Sequence, residues 1–540
     1  MDAGSQHKSI KIWYLGAFCI VAAACLLIRL HTLSVPLERD EGEYAYAAQL
    51  MLSGIPPFKE ACNMKMPGVY GVYTLIMAIF GQSVQAIHLG LLIVNLLASI
   101  GVFLLGRRLF SPLVGCAAGA CYATSSLSIS VLGPFAHAEQ FVVLPIVYGA
   151  WMLLRAFESK KAVSFFISGL LLGSGFIIKQ HAAPFMAFGF LLLVYDHWAS
   201  RASWMSRKFI VSSAALAGGM IAPFAAVCGI MYCAGVFGRF WFWTVVYARE
   251  YISQVSLADG MRMLMDTLSS LVVAAPLVWG ASVVGLLALG SRPRDSLQSV
   301  FAVLFFMGSF LCVCPGLYFR EHYFIQMLPA LALLAGIGIE AVCRLVMRRM
   351  GPKTFAIAGG AVAAAIALYP VVAEWHYLAR LSPEKLSRAV YGANPFPESV
   401  VLARYIREHT GPADRIAVVG SEPQIYFYSH RKSATSFMYT YALMESHPFA
   451  LDMQHRMIRE IEAAAPAYLV YVAVSTSWLA KPQSHRLIFD WFDGYFKSKY
   501  AIDGVADIIS RDTTVYAWGD SARAYQPRSS CFVALFKRKS

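Results

Sequence analysis

Long apolar runs recur through the first 374 residues, near 11–31, 84–105, 112–131, 138–157, 162–178, 181–198, 209–234, 267–290, 299–316, 322–343 and 354–374. A bilayer core takes about 20 apolar residues per helix, so this pattern predicts about eleven transmembrane helices. A twelfth run, 67–81, is short and opens on Pro67 and Gly68. Counting it as a crossing reverses the orientation of everything after it.

The basic residues decide that question. With eleven crossings and the N-terminus inside, every inner segment carries Lys or Arg: Lys8 and Lys11; Arg107 and Arg108; Arg155, Lys160 and Lys161; Arg201, Arg207 and Lys208; Arg292 and Arg294; Arg344, Arg348, Arg349 and Lys353. Cytoplasmic loops are enriched in these residues. Residues 67–81 are therefore expected to lie in or dip into the outer leaflet. The first run follows a short basic head, as a signal peptide does, but it has no small-residue cleavage site and is read as an anchor.

After residue 374 the pattern changes. The tail, 375–540, has strand-like runs at 415–420, 468–474, 513–518 and 531–536, with helical spacing at 398–409 and 454–464. That alternation predicts a small soluble α/β domain, outside the membrane by the parity of the crossings. Its turn Gly420-Ser421-Glu422-Pro423 resembles a strand-to-helix turn but lacks the glycine or lysine pattern of a nucleotide site. No internal repeat stands out.

Composition agrees: 58% of residues are hydrophobic and only 14% charged, with a mean hydropathy of +0.57. The formal charge of +14 is accounted for by topological anchors and contacts to anionic lipid, and no nucleic-acid partner is needed. Nine of the eleven cysteines lie in apolar runs, as small packing residues do. A bridge between Cys62 and Cys531 is conceivable from their outer positions, and no cysteine pattern has zinc spacing.

The candidate chemistry sits outside the apolar runs. In the outer loop 32–83, Glu38-Arg39-Asp40-Glu41-Gly42-Glu43-Tyr44 places four acids in six residues right after the first helix. An amphipathic stretch follows, expected to lie on the membrane with Tyr44, Ala48 and Met51 on one face. Asp40 with Glu43 fits a capping box. Equally, a partly desolvated Asp40 or Glu41 suits a general base. Lys179 ends an apolar run at the outer side, where it either snorkels or meets an anion. Arg320 presents a fork for phosphate oxygens or pairs with Glu321, in a short loop shared with His322. His137 and Glu139 open the fourth helix, where Glu139 either complements the helix dipole or serves the acceptor or, with Asp40, a divalent ion. The aromatic segment 237–266 reads as an outer interfacial belt, in which Arg249 or Glu250 could border the site.

Several of these motifs together carry a resemblance: Arg39-Asp40-Glu41-Gly42-Glu43-Tyr44 after a membrane helix, the Ser53-Gly54 turn, Lys65-Met66-Pro67, Gly106-Arg107-Arg108-Leu109-Phe110, Ile177-Ile178-Lys179, and His322-Tyr323 with Leu328-Pro329-Ala330. Over most of residues 10–375 the chain resembles the protein O-mannosyltransferase and lipid A aminoarabinose transferase superfamily, glycosyltransferases of the GT-C fold. The resemblance implies a GT-C-like transmembrane catalytic domain over 1–374 and an extracytoplasmic α/β domain over 375–540, in a cell (inner) membrane. It implies transfer of a sugar from a polyprenyl-phosphate donor to a lipid, glycan or protein acceptor on the outer face. Asp40, with Glu41, falls in the base position. Lys179, Arg320 and Lys65 fall to the donor phosphate, although Lys65-Met66-Pro67 departs from the Lys-Pro-Pro or Lys-Pro of many members. Glu139, His137, Tyr44 and His322 line the acceptor side. No cofactor is required, and a divalent metal is left open. A transporter or flippase for a lipid-linked or anionic substrate, and a polysaccharide ligase using pyrophosphate-linked donors, are the rival readings.

Overall fold

The structure is a computed structural model describing residues 3–201, 203–291 and 296–539, with side chains from residue 12 onward. Lys8, Lys11, Arg292 and Arg294, four of the expected anchors, fall outside the described residues or side chains. The chain is an integral membrane protein. Seven described helices are long and apolar enough to cross a bilayer: Ile12–His31, Val84–Leu109, Ala138–Ser159, Gln180–Ala199, Arg207–Cys233, Glu321–Val346 and Pro352–Ala373.

The expected count of eleven is not reproduced, for reasons of length and of proline. The run at 112–131 stops as a helix at Ser125 after 14 residues, which rise about 21 Å against a core of about 30 Å. Ala162–Ile178 and Leu297–Leu311 are also short. The run at 267–290 splits into Leu257–Ala274 and Pro276–Gly290, bent by 104°. Pro276 explains the break: it disfavours helical backbone at Ala275, which sits at φ −136° and ψ 51°.

By their contacts the residues form two compact units. The first holds 1–33, 88–229 and 255–380, and the second holds 34–87, 230–254 and 381–540. The sequence alone groups the outer loop 32–83 with the membrane domain, whereas nearly all of it packs with the α/β tail.

Within the first unit, helices Pro276–Gly290 and Leu328–Val346 touch backbone to backbone, because a Cβ on Gly285 would lie 1.9 Å from the Leu334 carbonyl oxygen. Arg29, inside the first membrane helix, is 5% exposed and donates to the carbonyls of Ser126 (2.9 Å) and Gly133 (3.3 Å). The basic loops gather at one end of this unit: Arg108 pairs with Glu158, and Lys160 with Asp196 at 3.1 Å, while Arg108 and Arg155 both stack on Trp151.

The second unit is built on a six-stranded mixed sheet, β1 Arg415–Val419, β2 Lys432–Ser433, β3 Tyr468–Ala473, β4 Tyr500–Ile508, β5 Thr514–Trp518 and β6 Phe532–Arg538, in the order β2-β1-β3-β6-β4-β5. Strands β1 to β3 pair in parallel and the rest antiparallel. β4 has no counterpart among the expected strands because Asp503, Gly504 and Asp507 interrupt its apolar pattern. Asp507 is buried nonetheless, accepting from Tyr525 Oη, Ser529 Oγ and the Arg528 backbone. All eleven cysteines are free, so the conceivable bridge between Cys62 and Cys531 does not form.

Two further expectations are corrected here. Helix Arg39–Leu52 does not present one face to headgroups: Tyr44 and Ala48 are buried. One side packs on helix Pro67–Phe80 through Tyr44 and Tyr73, ring centroids 5.3 Å apart. The other meets the α/β tail through Tyr46, whose ring lies 5.0 Å from Tyr426 and whose hydroxyl accepts from Ser433 N at 2.7 Å. Nor is the aromatic segment simply a belt, since Trp243 packs on Phe437 and Tyr247 donates to Glu445 at 2.6 Å. Helix Pro67–Phe80, at 14 residues too short to cross, leaves Leu75, Ile79 and Phe80 exposed.

Candidate functional site

The acidic motif starts helix Arg39–Leu52, and its capping differs from the expected box. Glu38 is the N-cap: its carboxylate accepts from Glu41 N at 2.9 Å, while Glu41 reaches back to Glu38 N at 3.0 Å. The box is therefore Glu38 with Glu41, not Asp40 with Glu43. Burial, then the neighbouring carboxylates of Asp40 and Glu41, push Glu38 above the usual carboxylate range. Glu41 is wholly buried and committed to the cap, which argues against its expected role beside the base.

Asp40 is thereby released from capping. Its Oδ1 accepts from Lys65 Nζ at 3.2 Å and from Tyr439 Oη at 2.8 Å. The Asp40 and Lys65 side chains are 17% and 20% exposed. Lys65 also lies over the Tyr44 ring, 5.6 Å from its centroid. Burial, and next the Asp40 charge, raise the Tyr439 phenol well above its ordinary value, so it stays a donor. Tyr439 stands 399 residues along the chain from Asp40 and carries no signal in its local sequence.

Glu43 sits one turn on, fully buried, accepting from Tyr70 Oη at 2.5 Å and Asn63 Nδ2 at 2.7 Å. Burial raises its carboxyl from 4.5 to about 7, against the lowering effect of Lys65 and with the raising effect of Asp40. A raised carboxyl favours the fold while protonated, so stability should fall as pH rises from about 4.5 through about 7 and level off above. Glu43→Gln keeps one acceptor oxygen, for Tyr70, gives up the second at Asn63, and is expected to remove this slope because it no longer titrates. Thermal unfolding at pH 5 and pH 8 measures it; equal pH dependence in both forms would contradict the assignment.

The helix is seated by the turn singled out in the tail. Gly420 has φ +150°, in the region that favours glycine, and the following Ser421 carbonyl accepts from Arg39 Nε at 2.5 Å. Arg39 also pairs with Glu422 at 2.5 Å and donates to Tyr441 Oη at 2.8 Å. Gly42 rests directly on this turn: an added Cβ would lie 2.6 Å from Gln424 N. Gly42→Ala should therefore lift the helix from its seat and cost about 1–3 kcal/mol, read as a lower unfolding midpoint; an unchanged midpoint would mean that the contact can relax.

The first unit holds the other expected residues. Glu139, in the first turn of helix Ala138–Ser159, is 1% exposed and accepts from Lys179, the C-cap of helix Ala162–Ile178. His322 Nε2 lies 3.8 Å from Glu139 Oε1. The His137 and His322 rings stack with centroids 4.3 Å apart, and Lys179 lies over Tyr323 at 4.2 Å. Arg320 adjoins this group in sequence, with its guanidinium over Tyr318 at 5.5 Å. This cluster occupies the N-terminal end of helix Ala138–Ser159, and the basic loops gather at the C-terminal end.

Thus Asp40, Glu41, Tyr44 and Lys65 belong together in the second unit, and His137, Glu139, Lys179 and His322 in the first. Each group pairs acid with base under partial or full burial. Such pairs can orient and neutralise an anion or hold a carboxylate ready to take a proton.

The fold is a membrane-protein architecture of the GT-C type, shared with proteins of known structure. Residues 65–226 match the family model for dolichyl-phosphate-mannose-protein mannosyltransferase. Among solved structures, ArnT from Cupriavidus metallidurans bound to undecaprenyl phosphate is similar at 14% identity and a TM-score of 0.60, covering 97% of this chain and 98% of that one. The apo oligosaccharyltransferase of Archaeoglobus fulgidus is similar at 14% identity and a TM-score of 0.55, covering 96% and 75%. AglB from the same organism, with an inhibitory peptide and a dolichol-phosphate, gives 13% identity and a TM-score of 0.55, covering 94% and 74%. No curated protein sequence matches the chain.

Proposed function

We propose that the protein is a glycosyltransferase that moves a sugar from a polyprenyl-phosphate donor to an acceptor at the outer face of a cell membrane, with the α/β domain extracytoplasmic. The observation that carries this reading is Asp40: an acid at a helix start, relieved of capping by Glu38 and Glu41, and held by Lys65 and Tyr439. ArnT holds undecaprenyl phosphate and AglB holds dolichol-phosphate; carried over, a polyprenyl phosphate is the leaving group here. The gathering of basic loops at the end of the first unit opposite Glu139 and Lys179 supports the outer placement of those residues.

Asp40 takes the proton of the acceptor nucleophile as it attacks the anomeric carbon, and the sugar–phosphate bond breaks with inversion. Lys65 and Tyr439, both on Oδ1, fix the carboxylate's direction. Negative charge then grows on the departing phosphate, and Lys179 with Arg320 stabilises it. Lys179 is already balanced by Glu139, so the phosphate competes with that carboxylate for the ammonium.

Lys179→Ala and Arg320→Ala are each expected to weaken donor binding about tenfold, by analogy with the loss of a charge-assisted hydrogen bond of about 1.5 kcal/mol, with a smaller effect on acceptor KM. Equilibrium binding of a polyprenyl-phosphate sugar to purified protein checks this, and unchanged affinity in both variants would remove the phosphate clamp.

A further inference from the structure

The second unit contains a cavity that takes no part in the chemistry above. It offers about 200 Å³ and opens to solvent, smaller than a pocket for a drug-sized ligand and roomy enough for a phosphate group. Three stretches far apart in sequence build it: the outer loop at Lys59 and Glu60, Arg239 in the aromatic segment, and the α/β domain at Arg415, 433–436, Arg456 and Glu460. Four cations face two carboxylates, a net of +2.

The two carboxylates are already used by the protein. Glu460 accepts from Ser436 N at 2.7 Å, Thr435 Oγ1 at 2.8 Å and Arg456 Nε at 2.8 Å. Burial opposes its ionisation, but those donors outweigh it and hold the carboxyl below its usual range. It therefore remains an anion that pins Arg456. Glu60 accepts from Arg415 at 3.3 Å, and Arg415 also donates to the Ser433 carbonyl at 2.6 Å. Lys59 and Arg239 are different. Both are exposed, Arg239 donates to the Lys59 carbonyl at 2.8 Å, and neither forms a salt bridge with any described carboxylate.

We propose that this cavity binds a phosphate group, with Arg239 and Lys59 as its principal contacts and Arg415 and Arg456 as pre-oriented supports. Guanidinium forks match phosphate oxygens. A phosphate monoester near pH 7 carries close to two negative charges, equal to the cavity's surplus. The walls are charged and hydroxyl-bearing, unlike a pocket for an apolar group. The inference concerns a second ligand site on the α/β side, and it stands or falls separately from the transfer chemistry at Asp40.

Calorimetric titration of the purified full chain in phosphatidylcholine nanodiscs tests it, with inorganic phosphate, glucose 1-phosphate and methyl glucoside as probes. The phosphate-bearing probes should bind, more weakly as salt rises, and methyl glucoside should not. The double variant Lys59→Gln, Arg239→Gln orphans no carboxylate and is expected to fold; it should bind at least tenfold more weakly. Asp40→Asn should retain binding, so failure of the cavity and failure of the transfer reading are read separately. If nanodiscs containing phosphatidic acid suppress glucose 1-phosphate binding, the natural phosphate is a lipid headgroup; if they do not, it is carried by a soluble molecule. No binding of either phosphate probe, or equal binding by wild type and double variant, would overturn the proposal.

Discussion

Asp40→Asn is expected to fold normally and to lower turnover at least about a hundredfold, the low end of general acid–base contributions. Asparagine keeps the Oδ1 acceptor for Tyr439, and the cap made by Glu38 and Glu41 does not involve the residue. The Lys65 side chain, 20% exposed, reaches solvent once its counter-charge is gone, so the cost to stability is small. What the variant loses is a group able to accept a proton from the nucleophile. Glu41→Gln supplies the contrast: its amide oxygen still accepts from Glu38 N and keeps the cap, and turnover should stay close to normal. Initial rates and unfolding midpoints of both variants check the pair. Near-normal turnover in Asp40→Asn would return that residue to a structural role.

The largest effect on stability is expected from Arg39→Met. Arg39 is nearly buried, Glu422 is fully so, and their contact is 2.5 Å long. Burial alone would weaken the guanidinium's hold on its proton, but Glu422 and Tyr441 more than reverse this and raise its pKa. Taking away the arginine leaves a buried carboxylate with only Gln424 Nε2 at 2.7 Å, at a cost of about 3–5 kcal/mol. The double variant Arg39→Met, Glu422→Gln should recover a large part of that loss, because no uncompensated charge remains. Unfolding midpoints of the single and double variants measure both effects; a single variant as stable as wild type would show that the acidic helix is seated by something other than this clamp.

The sequence makes some levels of this architecture visible and hides others. Membrane helices are legible wherever 20 or more apolar residues run unbroken, because a stretch of that length matches the bilayer core and exceeds what a soluble domain usually buries in one helix. Legibility fails at residues 112–131, 267–290 and 299–316, where apolar composition continues past the point at which proline or the loop chemistry stops the helix, whereas helix Ala162–Ile178 fills its run and is 17 residues long. In the tail, β1, β3, β5 and β6 are marked by continuous apolar runs, while β4 hides behind Asp503 and Asp507, whose carboxylates are satisfied by partners that the local pattern does not reveal.

The acidic motif is legible as a place, and less so as a division of labour. Spacing alone admits Asp40 with Glu43 as the capping box; Glu38 with Glu41 satisfies the same three-residue rule, and the choice depends on backbone angles at Glu38. Tyr439, Glu422 and the seat beneath Gly42 are invisible because tertiary contacts bring them to the helix from about 380–400 residues away. The amphipathic reading of Arg39–Leu52 fails for a related reason: a helix covered on both sides needs no polar face.

The most direct test of the proposed reaction is the fate of the bond between sugar and phosphate. Purified protein would be given a polyprenyl-phosphate sugar labelled with one isotope in the phosphate and another in the sugar, together with candidate acceptors. The labels are expected to separate, the phosphate staying with the lipid and the sugar joining the acceptor with inverted configuration. Labels that remain together on the lipid while crossing the membrane would contradict a transferase and favour a transporter.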